Sequence, residues 1–134
     1  MGLIYVDTCL VIYAIENHPR HASSVREAFA TAAGTLVISP LVKLECLVGP
    51  MRSGNLVLQS HYEQGLARLQ MLPMDEQVFT QAAELRARFG LKTSDAALHL
   101  ATAQRHGCTA LWTNDDRLAS AAHRLAENLL TAAR

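Results

Sequence analysis

Cysteine is scarce in this 134-residue chain, and Cys9, Cys46 and Cys108 lie far apart with no Cys-x-x-Cys pair. An odd, scattered count points to free thiols in a reducing compartment rather than a disulfide framework. Long apolar runs are missing too, and none approaches the roughly 18 residues that a membrane-crossing helix needs. So is an excess of charge of either sign. Twelve basic residues balance twelve acidic ones, which argues against a protein that grips nucleic acid by bulk charge alone. The opening Met1-Gly2-Leu3-Ile4-Tyr5-Val6 lacks the basic start of a secretory signal, and Val6 stands where a myristoylation signal wants Ser or Thr. The expected location is the cytoplasm. Repeats, linkers and low-complexity segments are likewise absent. With half its residues apolar and 18% charged, the chain is not a disordered one. At roughly 100–200 residues per domain, residues 1–134 make a single domain, which can fold without disulfides or structural zinc.

What the sequence does show is alternation. Leu3–Val6 is a short β-rich run ending at Asp7, and Cys9–Glu16 reads as a helix capped by Asp7 or Thr8. Pro19 is expected to open a helix running to about Ala33, stopped by Gly34. Thr35–Ile38 is a second strand. Ser39-Pro40 marks the start of a third helix, which carries Glu45 and which Gly49-Pro50 is expected to end. Leu56–Gln70 reads as helix, and Met71-Leu72-Pro73 as a short edge strand. Asp75–Phe89 is a long helix ended by Gly90. Thr93 or Ser94 caps another that reaches His106, and Thr109–Trp112 is a strand stopping at Thr113-Asn114-Asp115-Asp116. The last stretch supports two readings: one helix through 118–130, or a break near His123-Arg124 followed by a strand through Leu129-Leu130. Short apolar strands alternating with helices predict an α/β fold, with parallel β-α-β units and helices on both faces of the sheet. Ligands in such folds bind beyond the carboxyl ends of the strands.

The chemical signal is where the acids fall. Asp7 ends the first strand and Asp115 follows the strand Thr109–Trp112, so a parallel sheet sets both on one rim. Glu45 and Asp95 stand near helix starts, which can lie at that rim. Glu45 interrupts the otherwise apolar segment Leu41–Val48, and a carboxylate in such a place is rarely buried without a partner. Asp7 and Asp95 can also cap their helices, and capping is compatible with ligation. Asn114-Asp115-Asp116 alone is ordinary turn chemistry. Converging carboxylates repel and raise one another's pKa. A hard divalent cation resolves this, since Mg2+ or Mn2+ prefers oxygen ligands and assists phosphodiester hydrolysis.

Four segments together resemble the PIN-domain ribonucleases, most closely the VapC-type toxins of bacterial toxin–antitoxin pairs. They are Ile4-Tyr5-Val6-Asp7-Thr8, Ser39-Pro40-Leu41-Val42-Lys43-Leu44-Glu45, the run Lys92–Ala103 around Asp95, and Gly107–Asp115. The resemblance spans nearly the whole chain. It implies a three-layer α/β/α sandwich with a short, mostly parallel central sheet, binding Mg2+ or Mn2+ and cutting RNA. It implies that Asp7, Glu45, Asp95 and Asp115 are the catalytic and metal-binding acids. Thr113 matches the family's hydroxyl beside the fourth acid, and the adjacent Asp116 can substitute or assist. It further implies a homodimer and a cognate antitoxin that inserts a side chain into the acidic pocket. The segment Arg124–Arg134 departs from the family in lacking a β-branched run for the last strand.

Other residues carry a bland reading beside a functional one. Thr8 either orients Asp7 or caps the helix. His99, one turn after Asp95, is read as packed or solvated rather than as a ligand. His18 and His21 read as surface, Cys9 and Cys46 as small apolar packing, and Trp112 as core. Arg86, Arg88 and Lys92 either meet RNA phosphates or form a solvated face. Two alternatives stand beside the toxin ribonuclease. One is an Asp-nucleophile phosphohydrolase, which wants an acid where Cys9 stands. The other is a PIN-like module that binds RNA or protein without catalysis.

Overall fold

The computed structural model of the protein describes residues 2–122 and 126–128. Along the chain run β1 (Leu3–Val6), α1 (Thr8–Ile15), α2 (Ala22–Ala30), β2 (Thr35–Ile38), α3 (Pro40–Ser53), α4 (Leu56–Leu66), β3 (Gln70–Met71), α5 (Glu76–Phe89), α6 (Ser94–Arg105), β4 (Ala110–Thr113), α7 (Asp116–Ala121) and β5 (Ala126–Asn128). The strands form one sheet in the order β3-β2-β1-β4-β5, and every neighbouring pair is parallel. Right-handed crossovers then set α1–α4 on one face and α5–α7 on the other. The result is the expected three-layer α/β/α sandwich with a parallel sheet. Both faces being covered, the central strands need no polar alternation. Tyr5, Val6, Val37, Ile38 and Leu111 are fully enclosed.

Topology places the site. The chain leaves β1 toward β2 and β3, then returns across the sheet to add β4 on the other side of β1. Connections therefore part in opposite directions beyond the carboxyl ends of β1 and β4. That parting opens the crevice where doubly wound sheets hold their ligands.

Several boundaries differ from expectation. Gly49-Pro50 does not stop α3, which continues to Ser53 and ends at Gly54 in the left-handed conformation (φ 68°). Proline disfavours helix at the residue before it through a clash with that residue's Cβ, and Gly49 has none. Pro19 does not open α2, which starts at Ala22. There His18 Nδ1 accepts the backbone N–H groups of Arg20 and His21 at 3.1 and 3.2 Å, making a turn instead. The helix expected through Gln70 ends at Leu66, because Gln70 and Met71 pair with Val37 and Ile38. The single-helix reading of the C-terminal stretch fails. Helix α7 stops at Ala121, and Ala126–Asn128 pairs with Leu111–Thr113, which removes an open edge on β4. The expected break at His123-Arg124 and the expected strand residues Leu129-Leu130 lie outside the described residues.

One glycine fixes the register of β1 on β2. A Cβ on Gly34 would stand 2.4 Å from the carbonyl oxygen of Gly2, the same oxygen that accepts the Thr35 N–H at 3.0 Å. Gly34→Ala is expected to destabilise the protein by about 1–3 kcal/mol, the usual cost of forcing atoms into a packed contact. Urea denaturation would show this, and an unchanged midpoint would contradict the close approach.

Candidate active site

Asp7 is where β1 turns into α1. Its backbone N–H still pairs with the Trp112 carbonyl at 2.9 Å, so the sheet itself fixes it. It caps α1, with Oδ1 accepting the Thr8 N–H at 2.8 Å. Oδ2 accepts the Thr113 hydroxyl at 2.6 Å and, more weakly, the Cys9 thiol at 3.7 Å. The Thr113 oxygen also accepts the Asp115 N–H at 2.9 Å. Asp115 in turn caps α7, accepting the N–H groups of Arg117 and Leu118. The Asp7 carboxylate, beyond β1, and the Asp115 backbone, beyond β4, are thus joined through one buried hydroxyl. Thr113 is a support beneath the site.

Glu45 arrives on the second turn of α3. Its Oε1 accepts the Thr8 hydroxyl at 2.7 Å and stands 2.7 Å from His99 Nε2. Since a carboxylate only accepts, Nε2 carries the proton. On the far side of the ring, Nδ1 lies 2.7 Å from the Tyr5 hydroxyl, which lies 2.7 Å from Ser39 Oγ. Burial pushes the Tyr5 hydroxyl far above its ordinary range, so it stays protonated. The Ser39 hydroxyl, expected as a helix cap, serves this chain instead and makes no cap bond.

His99 was expected to be packed or solvated. It is 3% exposed, yet Nε2 lies 3.6 Å from Asp7 Oδ1 as well as against Glu45. Burial works to lower its pKa. The hydrogen bond to Glu45 and the charges of Asp7, Glu45 and Asp95 outweigh that, and the imidazole sits above its ordinary value. Asp95 stands in the first turn of α6, where Thr93 is the cap and accepts the Ala96 N–H. A hydrogen bond with Thr93 holds the Asp95 carboxyl below the usual range against the opposing effect of partial burial, with help from Glu45, the Ala96 N–H and His99.

Asp7, Glu45, Asp95, Asp115 and Asp116 all line one hollow of about 680 Å³, together with Thr8, His99 and Arg117. The structure therefore brings the four expected acids to a common wall. Among the described residues, no three His, Cys, Asp or Glu side chains stand close enough to hold an ion by themselves. Sequence reading missed Tyr13 and Asn114, which also line the hollow; Asn114 Nδ2 donates to the Tyr13 hydroxyl at 3.0 Å. Cys9 lines it as well, its thiol pushed up to about 12 by burial and the Asp7 charge, so it remains a neutral thiol. His18 and His21, read as surface, are half-buried and stack on each other with centroids 4.6 Å apart, both against Tyr13.

The PIN-domain family model matches residues 4–124, and the chain belongs to that family. No curated relative matches it by sequence. Among solved structures, it resembles VapBC2 of Rickettsia felis bound to a promoter DNA fragment, at 24% identity and a TM-score of 0.76, covering 94% of this chain and 98% of the other. FitAcB of Neisseria gonorrhoeae matches at 20% identity and a TM-score of 0.79, covering 95% and 98%. VapC20 of Mycobacterium tuberculosis, described as a toxin that cleaves the sarcin-ricin loop, matches at 16% identity and a TM-score of 0.73, covering 88% and 94%. At these identities the likeness is one of fold.

The linking role of Thr113 can be tested on stability. Thr113→Val keeps the shape but removes the hydroxyl from a carboxylate only 8% exposed. It is expected to cost about 1–3 kcal/mol, the penalty for a buried polar group left without its partner, whereas Thr113→Ser should stay near wild type. Equal denaturation midpoints for the valine variant and wild type would contradict the linkage.

Proposed function

We propose that this chain is a divalent-metal-dependent endoribonuclease, the toxin of a type II toxin–antitoxin pair, built as one domain over residues 1–134. Asp7, Glu45, Asp95 and Asp115 are its catalytic carboxylates and the ligands of Mg2+ or Mn2+. One observation carries the reading: five carboxylates line a single hollow at the carboxyl ends of β1 and β4. An anionic phosphodiester would be repelled there unless cations entered with it. The donor set is all oxygen, the preference of hard divalent cations. Magnesium keeps several waters and takes only one or two direct carboxylates, which suits acids spread along a wall rather than clenched around a point. When bound, such an ion lowers the pKa of a bound water and neutralises charge on the phosphodiester.

The remaining groups position these acids. The Thr8 N–H and the Thr113 hydroxyl hold both oxygens of Asp7, while Thr8 and His99 turn Glu45. Hydrogen bonding keeps Asp95 ionised, and the α7 cap fixes Asp115, with Asp116 beside it. The net charge of zero leaves few phosphates gripped directly, which favours a looped or single-stranded RNA recognised by shape.

Structural neighbours that are toxin–antitoxin complexes support a cognate antitoxin as partner. So does an apolar strip, Leu44, Val48 and Met51 on α3 with Leu56 and Val57 on α4, exposed to 75% at Leu56. Contiguous apolar surface of that kind is normally covered by another protein, the antitoxin or the second copy of a homodimer. Three free thiols suit the reducing cytoplasm. Among the described residues no helix is long and apolar enough to cross a membrane.

Asp7→Asn is the discriminating variant, since Asn caps a helix as well as Asp does. Cleavage of a structured RNA is expected to fall at least about a hundredfold, the scale of one lost catalytic group, with the unfolding midpoint little changed. Excess chelator should abolish cleavage by the wild type, and added Mn2+ should restore it. Wild-type rates from Asp7→Asn, or in chelator, would overturn the reading.

A further inference from the structure

Beside the acidic hollow lies a second one of about 470 Å³, lined by Phe89, Lys92, Arg117 and Ser120, and the two share Asp116 and Arg117 as a common wall. Apart from the shared Asp116, no carboxylate among the described residues lines the second hollow. Phe89, the last residue of α5, is 47% exposed and brings an aromatic ring to the hollow. Lys92 and Arg117 offer cations, and Ser120 a hydroxyl. The loop beneath it is built. Gly90 ends α5 in the left-handed conformation (φ 64°). Arg86 then donates to the carbonyls of Leu91 and Lys92 at 3.1 and 3.2 Å, and to Ser94 Oγ at 3.0 Å. The Arg86 guanidinium is thus spent on holding the loop, and Lys92 is the residue it presents.

From this juxtaposition we propose that the Phe89–Lys92–Arg117 hollow is a nucleotide subsite, holding an RNA residue next to the phosphodiester that enters the acidic hollow. The base stacks on Phe89, and the flanking phosphates meet Lys92 and Arg117. Charge decides where such a subsite must be. The chain has no net positive charge to spread over a backbone, and the acidic hollow repels one. The cations that receive the strand therefore have to be few and adjacent, and these two share a wall with the acids. Aromatic stacking adds affinity without sequence readout, because every base has a π-face. This subsite rests on the ribonuclease reading above.

The test measures binding apart from cleavage. An eight-nucleotide fluorescein-labelled single-stranded RNA is titrated into full-length Asp7→Asn protein, by anisotropy over a series of NaCl concentrations. In that background Phe89→Ala is expected to weaken binding about tenfold, the scale of one lost base stack, with the melting temperature held within the scatter of its parent. Lys92→Gln with Arg117→Gln should reduce the slope of log affinity against log salt by about 1.4, since single strands contribute roughly 0.7 per phosphate. Arg52→Gln, at the far end of α3, removes a cation elsewhere and should change neither. In the active protein, Phe89→Ala should raise KM with kcat held. Unaltered affinity and slope in the hollow's variants would overturn the subsite, as would an equal effect of Arg52→Gln or no RNA binding by any form. If the binding effects appear but intact protein never cuts RNA, the ribonuclease reading falls and the subsite stands. If the intact protein cuts RNA and the variants bind normally, the reverse holds.

Discussion

Five carboxylates face one hollow, and the arrangement of donors around them is what lets the fold hold them in place. The Thr8 N–H and the Thr113 hydroxyl fall on Asp7, the Thr8 hydroxyl and His99 on Glu45, and the first turn of α7 on Asp115. The most consequential donor is His99. It is buried, it stands between Asp7 and Glu45, and it is braced from behind by Tyr5 and Ser39. Its Nε2–H points at Glu45 at 2.7 Å and stands 3.6 Å from Asp7. Outward from it the hollow holds negative charge in excess, and that excess is what a divalent cation would answer.

The sheet order generates this crowding. Because β1 lies between β2 and β4, elements from three distant parts of the chain converge at its carboxyl end. Asp7 follows β1 directly, α3 carries Glu45 off β2, and β4 delivers Thr113 and Asp115. Helix α6 packs against α3, α7 and β4 and brings Asp95 and His99 together, one turn apart. The same convergence puts the end of α5 and the start of α7 side by side, so a cationic hollow adjoins the acidic one. With Asp116 and Arg117 on the shared wall, a chain of zero net charge sets both signs side by side.

Much of this was legible in the sequence. Short apolar strands ended by acids, with Gly and Ser-Pro punctuation, carry the element order and the four carboxylates, because strand ends and helix caps are local chemistry. What was not legible depends on tertiary neighbours. His99 reads as packing because its position on α6 is buried, and only the convergence of α3 and β1 sets its ring against Glu45 and Asp7. Ser39 sits at a cap position, but its hydroxyl turns to Tyr5. Pro50 looks like a helix stop until Gly49 before it removes the clash. Gln70 belongs to a helical pattern, yet the open edge of β2 takes it into a strand. Arg86, Arg88 and Lys92 form one basic run in sequence, and only the folded loop shows that Arg86 ties backbone carbonyls and that Lys92 lines the second hollow.

The claim that the acidic hollow is a cation site is tested most directly by diffraction from crystals soaked in Mn2+, with data collected near the manganese absorption edge. The account predicts an anomalous peak inside the hollow, within coordination distance of at least one oxygen of Glu45 or Asp95, and its loss in crystals of Glu45→Gln with Asp95→Asn. A hollow without an anomalous peak at millimolar Mn2+, or a peak that survives both substitutions, would contradict it.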